Sequence, residues 1–146
     1  MAAVPTLIDI VTGAGGASPI NLTNVNGTLF FMANDGTNGK ELWKSDGTSA
    51  GTALVRDIAA GAGSSSPSNL TNVNGTLFFS ADNGSNGPEL WKSDGTTADT
   101  ALVMDIKAVD SSYPHYLTNV NGTLFFVAND GSHGSELWES DGTTAG

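Results

Sequence analysis

The chain has 146 residues and a formal net charge of −10, from 15 acidic against 5 basic side chains, with 38% hydrophobic residues and 19 glycines. That field repels phosphate backbones and anionic lipid, which excludes nucleic acid and charged membrane surfaces as natural partners. The absence of cysteine excludes disulfides and thiolate chemistry.

In chain order, the first predicted element is the apolar run PTLIDI, Pro5–Ile10. The opening MAAVPTLIDIVTG lacks a basic region followed by a long apolar one, so no signal peptide is expected there. A short strand NLTNV follows and runs into Asn26-Gly27, a pair that accepts positive φ at both positions and so marks a tight hairpin. The next strand is TLFFMA (Thr28–Ala33), followed by the glycine-rich loop NDGTNG, the short strand ELWK (Glu41–Lys44), the turn SDGTSAG and a closing strand TALVRDI (Thr52–Ile58). No window shows helical periodicity. No stretch reaches the roughly 18 apolar residues of a membrane span.

This set of elements then repeats. LTNVNGTLFF stands at Leu22–Phe31, Leu70–Phe79 and Leu117–Phe126, at spacings of 48 and 47 residues, and the ELW triplets keep the same two spacings. The missing residue falls in the linker before Leu117, where chain length is most easily changed. The repeats run over 11–58, 59–106 and 107–146. Repetition at this period points to a modular all-β fold. In TLFFMA the apolar residues occupy both faces, as in a strand of a sheet stacked between other sheets. The expected fold is therefore a β-propeller of four-stranded antiparallel blades, three per chain. A β-trefoil, which also uses three four-stranded units, is the alternative.

The phase of the repeat carries a further expectation. PTLIDI matches the closing strands TALVRDI and TALVMDI (Thr100–Ile106), with Ile8 where Arg56 and Met104 stand, whereas the third unit stops after SDGTTAG. Three blades are too few to close a ring, and propellers have about four to eight. If strand 5–10 of one chain completes the last blade of another, the contact is heterologous and must close or run on. Two chains give six blades and three would give nine. The expectation is a strand-exchanged homodimer.

The unit LTxVNGTLFFxAxDGxxGxELWxSDGTxxGTxLVxDI resembles the ELWxxDGT repeat of bacterial extracellular repeat proteins, over essentially the whole chain, and its order of turns and aromatic strands is similar to kelch-type blades. The resemblance implies a surface or secreted setting and supports the propeller. It implies no particular activity and no catalytic residue. The second unit departs locally at Asp82-Asn83 and at Asp99. Near-identity of the copies suits recent duplication or deliberate construction from one repeat.

Several repeated residues are candidates for function. Trp43, Trp91 and Trp138 suit sugar stacking if exposed, but their place beside Leu42, Leu90 and Leu137 on a short strand favours core packing. Burying one indole removes about 150–250 Å² of surface. Asp46, Asp94 and Asp141 of S-D-G-T read as turn-capping carboxylates. Glu41, Glu89 and Glu136, with Asp57, Asp105 and Asp9, give one Glu–Asp pair per unit. A catalytic carboxylate pair needs asymmetric surroundings, so the repeated pair is expected to satisfy backbone or hydroxyl donors.

The candidate ligand-binding loops are Asn34, Asp35 and Asn38; Asp82, Asn83 and Asn86; and Asn129, Asp130 and His133. Calcium takes about six to eight oxygens, and each loop offers one Asp, so a weak calcium site is the most they would hold and no cofactor is expected. His115 and His133 are not equivalent positions, and no nucleophile triad or phosphate loop emerges. The expected function is a non-enzymatic module that binds through its loops, glycans being the sharper guess, or serves surface architecture. A purely structural or engineered repeat is the alternative, and a hydrolase the less favoured third.

Overall fold

The computed structural model describes residues 4–143, so residues 144–146 of the third repeat lie outside the described part. Eleven strands form three antiparallel sheets, each in simple sequential order, and no helix occurs among the described residues. The first sheet holds β1 (Ile20–Val25), β2 (Thr28–Asn34), β3 (Lys40–Ser45) and β4 (Ala53–Arg56). The second holds β5 (Ser68–Val73), β6 (Thr76–Asp82), β7 (Pro88–Ser93) and β8 (Ala101–Met104). The third holds three strands, β9 (His115–Val120), β10 (Thr123–Asn129) and β11 (Ser135–Ser140).

The hairpin chemistry acts as its residues require. Asn26 and Gly27 take φ of 50° and 87°, and Asn74-Gly75 and Asn121-Gly122 repeat this geometry. Both central residues of such a turn need positive φ, which an Asn-Gly pair supplies at little cost. The preceding Asn24 locks the turn by accepting the Gly27 N–H at 2.9 Å. A bulge follows from the register, because Ile20 faces Met32 and Thr23 faces Phe30, leaving Asn21 and Leu22 opposite Phe31. Asn21 and Asn69 occupy the bulge with φ of 59° and 54°, and Tyr116 does so in the third sheet.

Alternation along β2 sends its two phenylalanines to different sides. Phe30 joins Val25, Leu42, Val55 and Ile58 against Leu77, Phe79, Ala81 and Trp91 of the second sheet. Phe31, with Ala33 and Trp43, lies on the opposite face, where Ile10, Ala17, Leu29 and Leu54 pack against it. The second sheet repeats the arrangement, since Val73, Phe78, Leu90 and Val103 meet Leu124, Phe126 and Ala128 of the third. The second sheet thus has two apolar faces of different composition, one fitting the third sheet and one the first.

The first strands lie side by side, β1 against β5 and β5 against β9. Side chains tie them across the sheets: Thr23 Oγ1 donates to Leu70 O, Thr71 Oγ1 to Leu117 O, Asn72 Nδ2 to Asn24 O and Asn119 Nδ2 to Asn72 O. The sheets therefore fan out from a common line of first strands.

Two differences from the sequence-based expectation have a physical cause. The closing strand ends at Arg56 rather than Ile58 because the Ile58 N–H goes to the Glu41 carboxylate instead of a ladder carbonyl. Pro5–Ile10 pairs with no strand among the described residues, although Ile10 packs on the Phe31 face.

Candidate functional site

The three loops proposed to bind ligand sit at equivalent places, between β2 and β3, β6 and β7, and β10 and β11. Their polar groups hydrogen-bond largely to their own backbone. Asn34 Oδ1 accepts the Gly36 N–H at 2.7 Å. Asp35 Oδ1 accepts the Thr37 and Asn38 N–H groups, and its Oδ2 accepts from Asn38 Nδ2 at 2.7 Å. These bonds, led by the Asn38 N–H, hold the Asp35 carboxyl below its usual range.

In the second loop Asp82 Oδ1 accepts from Gly84 N and Asn83 Oδ1 from Ser85 N. Asn86 Nδ2 reaches out of the loop to Asp105 Oδ2 at 2.7 Å. In the third, Asn129 accepts from Gly131 N, and Asp130 accepts from the Ser132 and His133 N–H groups. Asp130 Oδ2 also pairs with His133 Nδ1 at 2.8 Å. The His133 side chain, as the largest cause, holds Asp130 well below the usual carboxylate range, and Asp130 in turn raises the His133 imidazole.

This pair gives a direct test. A carboxyl whose pKa is lowered stabilises the fold above its unfolded value and loses that effect as pH falls. A raised imidazole stabilises below its unfolded value and loses that effect as pH rises through its folded value. The loop is held best between the two. We expect Asp130→Asn to bring the His133 midpoint, followed by NMR of its ring protons, back down towards the ordinary histidine value of 6.5. An unchanged midpoint would show that the pair does not form in solution.

The Asp-Gly turns after β3, β7 and β11 follow one pattern. Asp46 Oδ1 accepts Thr48 N and Thr48 Oγ1, Asp94 Oδ1 accepts Thr96 N and Thr96 Oγ1, and Asp141 Oδ1 accepts Thr143 N. All three carboxyls are held below their usual range by these bonds, the threonine hydroxyl leading at Asp46 and Asp94 and the Thr143 N–H at Asp141.

The tryptophans are not equally placed. Trp43 and Trp91 are buried, Trp138 is half-buried, and the Trp138 indole N–H donates to Ala128 O at 3.1 Å. The indole nitrogens of Trp43 and Trp91 are buried without a partner, as are Asp57 Oδ1 and Asp105 Oδ1.

The most elaborate polar arrangement belongs to the glutamates that open each ELW. Glu41 is 0% exposed, and its carboxylate accepts from Ile58 N, Ala59 N, Ser65 N and Ser65 Oγ. Glu89, also buried, accepts from Ile106 N, Ser112 N and Ser112 Oγ. Burial pushes the Glu89 carboxyl up, the Ser112 and Ile106 bonds oppose this, and the Asp105 charge adds to it. Glu136 in the third sheet is exposed. Each buried carboxylate therefore anchors the connection that leads from its own sheet to the next. Sequence reading directed these glutamates to backbone and hydroxyl donors but missed the serines that supply them. Ser65 and Ser112, each two residues before a proline, were the available signal.

Among the described residues, no group of three or more His, Asp and Glu side chains is placed to hold a metal ion, and no helix is long and apolar enough to cross a membrane. No protein-family model, no curated protein and no solved structure matches this chain.

Proposed function

We propose that the chain is a non-enzymatic β-propeller module of the ELWxxDGT type. Its three sheets are blades, and two copies close into a six-bladed ring by strand exchange. The observation that carries this reading is the sheet-to-sheet joint made twice within one chain, by equivalent residues each time. Sequential antiparallel sheets fanning from adjacent first strands, two of them four-stranded and the third three-stranded, favour a propeller over a trefoil. The buried glutamates argue against hydrolysis, because their oxygens are taken by backbone amides and serine hydroxyls. The resemblance to extracellular repeat proteins supports a secreted or surface setting.

Within this reading, the loops at Asn34–Gly39, Asp82–Gly87 and Asn129–Gly134 are presented as equivalent weak sites, and glycans are the ligands best suited to them. Equivalent sites on a closed ring gain avidity without new contacts. A glycan array read with and without Ca²⁺ tests this, and an array without binding in either condition retires the lectin role. A purely structural scaffold is the second reading, favoured by one observation: both Asp35 oxygens and both Asp130 oxygens are already engaged within their loops.

A further inference from the structure

Each internal joint has an apolar half and a polar half. In the apolar half, Val25, Phe30 and Leu42 meet Leu77 and Phe79, and Val73, Phe78 and Leu90 meet Leu124 and Phe126. The polar half has two links. One is the buried glutamate on the connection to the next sheet. The other is a lysine: Lys44 Nζ donates to Gly95 O and Lys92 Nζ to Gly142 O, both at 2.7 Å, in the Asp-Gly turn of the following sheet.

The third sheet presents the same apolar set uncovered. Leu137 is 71% exposed, where its equivalents Leu42 and Leu90 are 0% and 1%, and Val120 is 45% exposed, where its equivalents Val25 and Val73 are 5% and 6%. The first sheet presents the complementary face, with Leu29 and Phe31 lining a groove shared with Ile8, Ile10, Pro19 and Leu22. The connection that belongs in this joint is also present. Ala17 O accepts from Asn34 N, as Ser65 O does from Asp82 N and Ser112 O from Asn129 N. Residues 10–17 thus already hold the first sheet as residues 58–65 hold the second. Their other half, which grips a preceding glutamate, has a match in the exposed Glu136 of another copy.

Two residues depart from the template. Ala17 stands in the place of Ser65 and Ser112, so the hydroxyl bond to the glutamate is lost. Glu139 stands in the place of Lys44 and Lys92, so a carboxylate replaces the ammonium that meets a turn carbonyl, here that of Gly47.

We infer that a second copy of this chain covers the open face of the third sheet through a joint that keeps the apolar half of the internal template and the Glu136 grip on backbone amides, but lacks two polar links. The ring consequently opens and closes with protein concentration while the internal joints stay shut. This rests on the ring reading above and adds its residue-level control. The occupant is a second copy because one chain carries both halves of the joint, each in its template position. With −10 on each chain and Glu139 at the joint, added salt tightens the association.

Sedimentation velocity over a dilution series tests the inference on the wild-type chain and on Ala17→Ser, Glu139→Lys and Glu136→Ala. The wild type is expected to interconvert between 14.8 kDa and twice that mass. Ala17→Ser and Glu139→Lys should each tighten association about 10-fold per joint, and Glu136→Ala should loosen it by about the same factor. Glu136 is exposed in the single chain, so its loss leaves the fold intact. A two-copy species whose dissociation none of the three variants changes overturns the control but leaves the ring standing. A two-copy mass that survives the whole dilution series overturns the reversibility. A mass that stays at 14.8 kDa even for the Ala17→Ser/Glu139→Lys double variant overturns the ring reading itself.

Discussion

At concentrations that favour association, native mass measurement of the 146-residue chain is expected to give twice 14.8 kDa, and Leu137→Asp to return it to 14.8 kDa without loss of the β signal in circular dichroism. Leu137 is 71% exposed in the single chain, so an aspartate there disturbs no internal packing. In the proposed ring it would take the place that Leu42 and Leu90 hold at the internal joints. Leaving a leucine out of such a joint forfeits about 1.5–3 kcal/mol, and a carboxylate in the same place adds a desolvation cost. Each two-copy ring has two such joints, so dissociation rises by several orders of magnitude. A mass of three chains would instead indicate nine blades. An aspartate variant that keeps the wild-type mass would remove the third sheet's open face from the interface.

The second large effect concerns the fold itself. Glu41→Ala is expected to lower the unfolding free energy by about 4 kcal/mol, since it leaves three backbone N–H groups and the Ser65 hydroxyl facing a buried space, and an orphaned buried donor costs about 1–3 kcal/mol before relaxation. Urea denaturation measures this directly, and a loss below about 1 kcal/mol would mean the connection finds other partners. Glu89 allows a test by pH. Its carboxyl is raised above the ordinary value of 4.5, so the folded chain binds the proton more tightly than the unfolded chain. That contribution to stability is full below 4.5 and declines as pH rises through the folded value. The capping aspartates, whose carboxyls are lowered, act in the opposite sense and lose their contribution as pH falls. Glu89→Gln should remove the first component alone. The difference in unfolding free energy between wild type and variant is then expected to slope with pH just above 4.5 and to be flat well below it.

Much of the fold was legible because it rests on local rules. Asn26-Gly27 declares a hairpin whatever surrounds it, and the double apolar pattern of Thr28–Ala33 declares a strand covered on both sides. What could not be read depends on contacts between distant residues. The closing strand runs over Ala53–Arg56 and not Thr52–Ile58, and its C-terminal end two residues earlier could not be read, since nothing in TALVRDI reveals that the Ile58 N–H leaves the ladder for a carboxylate 17 positions earlier. The bulge at Asn21 and Leu22 interrupts the pairing without a glycine to mark it. At the candidate loops, composition gave the polar residues but not their direction. Whether Asp35 faces a ligand or its own backbone depends on where the Thr37 and Asn38 amides point, and they point at Asp35.

The glutamate-held connections have a consequence for variation. Each is pinned at its start by an isoleucine amide and at its end by a serine amide, and in the first the Ala59 amide and the Ser64 hydroxyl, which accepts the Lys40 N–H, add to the two ends. The first such span, Ile58 to Ser65, is one residue longer than the second, Ile106 to Ser112, yet both close on the same carboxylate geometry. The difference in length falls between the two ends, which stay in register. A foreign segment placed between the exposed Gly61 and Ala62 would therefore be carried between two fixed ends, so this connection can take an insertion without renegotiating the core.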